Sequence, residues 1–185
     1  MNQEQTMESF VNRMIRAARL EVGLYEEVEA DKSAIGQALG VVVLSSLAAG
    51  IGMIALQGLS GLLLGTIAAL ISWFVWAYVI YFIGTKLLPE RQTHADHGEL
   101  LRTIGFSSSP GLIRVLGIIP FLRGIVFFAA SIWMLVAMVI AVRQALDYES
   151  TLRAVGVCAI GWLIQILLML LLFSIFGGLP QPAGP

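Results

Sequence analysis

SAIGQALGVVVLSSLAAGIGMIALQGLSGLLLGTIAALISWFVWAYVIYFIGT, residues 33–85, contains no charged side chain, and Lys32 and Lys86 close it off at either end. A membrane-spanning helix takes about 20 apolar residues. The run therefore has length for two spans and a tight connection. Glycine and polar residues punctuate it at Gln57, Gly58, Ser60 and Gly61, so the break is expected there. The first span is read as 34–56 and the second as 62–88, stopped by Pro89.

The rest of the chain agrees. Hydrophobic residues make up 58% and charged residues 12%, against roughly 25% charged in a soluble domain. Residues 90–99 are polar and read as a loop, with Arg91, His94, Asp96 and His97. Residues 100–120 form a short third span, kinked at Pro110 and carrying Arg102 and Arg114. Residues 124–142 are a fourth span stopped by Arg143, and 154–176 a fifth. The fold class is all-α, a polytopic helical membrane protein, because lipid leaves the backbone to satisfy its own hydrogen bonds. The tail, 177–185, is rich in glycine and proline and reads as disordered.

Lysine and arginine give an orientation. With the N-terminus in the cytoplasm and five crossings, Arg13, Arg16, Arg19, Lys32, Lys86, Arg91, Arg102, Arg143 and Arg153 lie inside, and Arg114 and Arg123 outside. Nine against two follows the positive-inside rule. If 100–120 only re-enters, Arg114 and Arg123 exchange sides with Arg143 and Arg153, and the count is unchanged. Charge thus places the N-terminus inside and leaves four and five spans open. The N-terminal segment lacks a basic region leading into an apolar stretch, so the first span is expected to act as an uncleaved insertion signal.

Residues 1–31 read as a cytoplasmic amphipathic segment. Met7, Phe10, Val11, Met14, Ile15 and Ala18 recur at helical spacing, opposite Arg13, Arg16 and Arg19. Such a helix is expected to rest on the bilayer with its arginines at anionic headgroups, or to meet a partner. Glu26, Glu27, Glu29 and Asp31 make its second half acidic, so that half should leave the surface or meet a basic partner.

The third span opens Gly105-Phe106-Ser107-Ser108-Ser109-Pro110. Trp133 in the fourth span is followed by Val142-Arg143-Gln144-Ala145 and Ser150-Thr151-Leu152-Arg153-Ala154. With the order of segments, these residues resemble the YIP1 family in its bacterial form, over residues 34–176. The resemblance implies five spans, a cytoplasmic N-terminus and an extracytoplasmic C-terminus. Eukaryotic members act in vesicle traffic and bind small GTPases. The aspartate-leucine-tyrosine-glycine-proline motif of that branch is absent here, which argues against GTPase binding.

Candidate sites are few. Arg114 is costly at mid-membrane, about 2.5–3.5 kcal/mol on insertion scales. No acidic residue in any span can pair with it, so it is expected to snorkel outward or meet a lipid phosphate, as is Arg123 near the surface. His94, Asp96 and His97 lie close together, but a solvated loop accounts for them without metal or haem. Ser107, Ser108 and Ser109 have no base and acid beside them for nucleophilic chemistry. They are expected to bond carbonyls freed at the Pro110 kink. Gly36 and Gly40, and Gly61 and Gly65, have the spacing that lets helices approach closely, here toward another helix of the same chain. Trp73, Trp76, Tyr78 and Tyr81 are expected to pack against a helix, with a pigment surface as the alternative.

These readings call for no catalytic residue, no cofactor and no metal. A net charge of -1 gives no pull toward nucleic acid. The function expected is a non-catalytic plasma-membrane protein that organises or stabilises other membrane-protein subunits. The alternatives are an accessory subunit of a respiratory or photosynthetic complex and, using Arg114 and Gln165, a small transporter.

Overall fold

The computed structural model describes residues 3–176, with side chains described for 9–167 and for 170, 171 and 174. The expected disordered tail and the side chain of Met7 lie outside the described residues. Seven α-helices follow in order: α1 (Gln3–Ala18), α2 (Val22–Ala30), α3 (Ile35–Gly52), α4 (Ile54–Phe82), α5 (His97–Phe106), α6 (Arg123–Ala145) and α7 (Thr151–Phe176). A π-helical turn, Ile83–Leu87, ends α4, and a 3-10 segment, Ser109–Ile118, follows α5. Among the described residues, three stretches are long and apolar enough to cross a membrane: Lys32–Gly52, Ile54–Leu87 and Arg123–Ala145. The chain is an all-α membrane protein.

The hairpin between the first two spans turns over residues 53–58, since a Cβ on Gly50 would lie 3.0 Å from Leu62 on its far side. α3 ends at Gly52, and Met53 lies between it and α4. Gly58, with φ 64° and ψ -170°, then breaks the helical path of α4. Only glycine takes that conformation readily. The break expected at residues 57–61 thus falls where the helical path is interrupted, at Gly58.

Residues 100–120 do not form one kinked helix. α5 starts earlier, at His97, because Asp96 and Glu99 make a capping box. Asp96 Oδ1 accepts from the Glu99 amide at 2.8 Å, and Glu99 Oε2 accepts from the Asp96 amide at 2.7 Å. α5 stops at Phe106, and Pro110 opens the 3-10 segment, where its missing N–H costs nothing. A Cβ on Gly105 would lie 2.7 Å from Ala38, one on Gly111 2.2 Å from Ser45, and one on Gly117 3.4 Å from Gly52. The successive contacts climb α3, so α5 and the 3-10 segment run parallel to it, from one end of the bundle to the other.

The buried core occupies one end. Ala77, Ile80 and Ile83 of the second span meet Leu100, Ile104, Val142, Leu146, Tyr148 and Val157 there. α1 and α2 fold onto the same end through Ala17, Leu24, Tyr25 and Val28, against Ala38, Val41, Phe106 and Ala141. The N-terminal segment thus packs on its own bundle through Phe10, Met14 and Ala17, leaving Val11 and Ile15 half-exposed on the outer side.

Helix C-termini leave carbonyls without intrahelical partners, and distant side chains satisfy them here. Trp133 Nε1 donates to Ala18 O at 2.7 Å and the Tyr25 hydroxyl to Ala17 O at 3.3 Å, closing α1. Buried Arg102 donates to Val28 O at 2.8 Å and to Glu29 O, closing α2. Arg123 donates to Gly52 O at 3.2 Å, closing α3, and to Gly117 O at 3.1 Å. The Tyr148 hydroxyl lies 3.0 Å from Gly84 O and 2.7 Å from Leu88 O, at the end of α4.

Candidate functional site: a polar cavity inside the bundle

Away from the core end, α3, α4, α5, the 3-10 segment, α6 and α7 all contribute to a half-open cavity of about 550 Å³. That volume lies within the roughly 300–1,000 Å³ usual for ligand pockets. Its walls mix two chemistries. Ser45, Gln57, Ser108, Arg114 and Gln165 bring polar groups, while Trp73, Trp76, Trp162, Met134 and Met138 bring large apolar surface.

The apolar side has a local reason. Trp73 Nε1 donates to Leu101 O at 3.1 Å, which fixes its ring between α4 and α5. Trp76 packs by Gly161, where a Cβ would lie 3.0 Å from the ring. Trp76 Nε1 is enclosed and has no hydrogen-bond partner. Beyond Gly161, the described side chains of α7 are largely exposed, as are those of α4 opposite, Leu63, Leu64 and Ile67 among them. The cavity lies where the two helices part.

Arg114 points the opposite way from its expected path. Its backbone sits at the outer end of α3, since a Cβ on Gly52 would come within 2.2 Å of its carbonyl oxygen. Its side chain does not extend toward Pro120. Nε donates to Gly111 O at 3.1 Å and Nη2 to Ser45 Oγ at 2.9 Å. Ser45 lies seven residues before Gly52 on α3, about 10 Å deeper at 1.5 Å per residue. Gly111 makes this turn possible, because any side chain there would collide with Ser45 and with the guanidinium. Among the described residues no carboxylate pairs with Arg114.

The other sequence-derived residues lie elsewhere. Arg123 caps α3 and does not line the cavity. Arg13 bonds Glu27 at 2.8 Å, Asp31 at 2.9 Å and Gln37 at 2.8 Å, while Arg16 bonds Glu21 and Glu27. The acidic second half of the N-terminal segment thus folds back on the basic first half. The Arg16 and Arg13 hydrogen bonds outweigh burial and hold Glu27 below its usual pKa. Arg19 is exposed. Gly40 faces the Phe10 ring at 3.4 Å, Gly61 meets only Gln57 of its own helix, and Gly36 and Gly65 have nothing within 4 Å.

Ser107 Oγ donates to Ile104 O at 2.7 Å, as expected beside a helix end, while Ser109 Oγ is buried without a partner. His97 does not sit in a solvated loop. Its ring packs on Tyr81 and Tyr78, with centroids 3.9 and 4.8 Å away. Asp96 and Glu99 are occupied in the capping box. Among the described residues no group of histidine, cysteine and carboxylates could hold a metal ion.

The cavity was missed at the level of sequence because its polar groups come from separate segments. Ser45, Gln57 and Gln165 are each ordinary in an apolar helix. One signal was available: an arginine whose surroundings offered no acid.

The family model described as "Yip1 domain" matches residues 25–173, which takes in α2 through most of α7. No curated protein and no solved structure matches the chain.

Proposed function

Since the chain belongs to the Yip1 domain family, we propose that it is a non-catalytic plasma-membrane protein that organises or stabilises other membrane proteins around its bundle. The supporting observation is the parting of α4 and α7 beyond Gly161. It leaves the α4 face of Leu63, Leu64 and Ile67 more than half exposed beside Gly65, which has nothing within 4 Å. Lipid gives apolar faces no hydrophobic drive to associate, so membrane helices dock where small residues admit close packing. α4 offers such a place without a neighbour from its own chain.

The topology proposed has five crossings, a cytoplasmic N-terminus and an extracytoplasmic C-terminus. In its favour, the parallel course of α5 and the 3-10 segment beside α3 supplies a third traverse of the bundle. Lys32, Lys86, Arg91, Arg102, Arg143 and Arg153 flank the core end, as the positive-inside rule asks of a cytoplasmic face.

A photo-crosslinking residue placed at Leu64 or Ile67 tests the partner reading in native membranes, with buried Ala38 as control. A discrete protein adduct from the α4 positions and none from Ala38 is expected. A single adduct would favour a fixed complex, and several would favour an organiser of varied partners. Adducts to lipid alone at every α4 position would refute the reading.

A further inference from the structure

A guanidinium turned away from the headgroups and into a bilayer-embedded bundle, with no carboxylate to meet it, stands at a cost of several kcal/mol unless something neutralises it. The side chain has five N–H donors, and protein groups accept from Nε and Nη2 alone. The remaining donors belong to a side chain that lines the cavity. The protein's own contacts are a backbone carbonyl and a serine hydroxyl, both neutral. Gly111 clears the space that lets the guanidinium fold inward, and Gly52 admits the Arg114 backbone against α3, so the inward pose is a feature of the packing.

We infer that the cavity is a binding site for an anionic amphiphile, its carboxylate or phosphate head on Arg114 and its apolar chain among Trp73, Trp76, Trp162, Met134 and Met138. The head is an oxyanion because guanidinium matches carboxylate and phosphate oxygens with paired N–H bonds. Ser108, Gln57 and Gln165, also on the wall, can complete its hydrogen bonding. The chain is apolar because most of the remaining wall is apolar, three tryptophans among it, and its methionines adapt to an irregular guest. The guest enters sideways from the bilayer, where α4 and α7 part beyond Gly161. Gly65 borders the cavity, but Leu63, Leu64 and Ile67 do not, so crosslinking from α4 and quenching in the cavity test the two readings separately.

Tryptophan fluorescence of the full chain in detergent reads the site directly, because Trp73, Trp76 and Trp162 line the cavity and Trp133 does not. The probes are a brominated fatty acid, a brominated monoacyl phosphate, the methyl ester of the same fatty acid, and inorganic phosphate. Saturable quenching by either anionic probe, beyond that of the ester, is expected, and it should survive Trp133→Phe. Which anionic probe saturates at lower concentration names the head. Arg114→Gln should weaken the quenching at least about tenfold, the scale of a lost charge-assisted hydrogen bond. Arg114→Lys keeps the charge without the planar fork and should weaken it less, which preserves the test if the glutamine variant does not fold. Equal quenching by acid and ester, or no effect of either Arg114 substitution, would overturn the inference. Displacement of the amphiphiles by inorganic phosphate at equal concentration would overturn it in favour of a small-anion site.

Discussion

Glu29 sits at the C-terminal end of α2, over the groove between α5 and the α6–α7 connection. Burial raises its pKa to about 7, and the negative charges of Asp147, Glu99 and Glu26 push the same way against the weaker pull of Arg102. The folded state thus holds a proton that the unfolded chain releases near 4.5. Stability from this group is complete below 4.5 and is lost as pH rises through 7. The N-terminal helices should therefore be held more tightly at pH 5–6 than at pH 8. Glu29→Gln, fixed in the neutral form, should remove most of that slope and raise stability at pH 8 by on the order of 2 kcal/mol. Asp147→Asn removes the largest neighbouring repulsion and should move the transition to lower pH. Amide exchange across α2, followed from pH 5 to 8, measures both. An unchanged slope in the glutamine variant would show that Glu29 does not set it.

At the scale of elements, the α5–3-10 segment shows what a reading of residues can and cannot reach. The proximity of Ser107 to a freed carbonyl was legible, while Pro110, expected to kink one helix, stands instead at the start of a separate 3-10 segment. What shapes the segment is the close approach of Gly105 and Gly111 to α3, which depends on a helix dozens of residues away. Gly111→Ala would place a methyl within 2.2 Å of Ser45 Oγ and should cost about 1–3 kcal/mol by overpacking. Pro110→Ala should cost less, since proline at the start of a helical segment gives up no hydrogen bond. Thermal unfolding in detergent ranks the two, and a larger loss at Pro110 would reverse the assignment. The capping box of Asp96 and Glu99 was fully legible, an aspartate three residues before a glutamate ahead of an apolar run.

For the whole molecule, the uncharged run 33–85 was enough to identify a membrane protein. The place of residues 1–31 was not legible there, because an amphipathic helix reads alike whether its apolar face meets lipid or its own bundle. Contacts more than a hundred residues apart in sequence decide it, Trp133 with Ala18 and Gln144 with Glu26. The cavity is hidden in the same way, being the sum of residues from every spanning element. Removing residues 1–19 should uncover Phe106 and Ala141 and leave Trp133 Nε1 without its acceptor. A fall in melting temperature by several degrees is expected, with insertion intact. An unchanged melting temperature would mean that α1 rests on the bundle without stabilising it.

The stapling of helix ends by distant side chains also sets an order in time. Ala18 waits for Trp133, Val28 for Arg102, and Gly52 for Arg123, so each early helix leaves the ribosome before the residue that closes it exists. Until α5 emerges, α2 lacks Arg102 on its last carbonyls, and until α6 emerges, α1 lacks Trp133 and both helices lack Ala141. The N-terminal pair is made first and fixed late, and the completion of α6 is what locks the beginning of the chain in place.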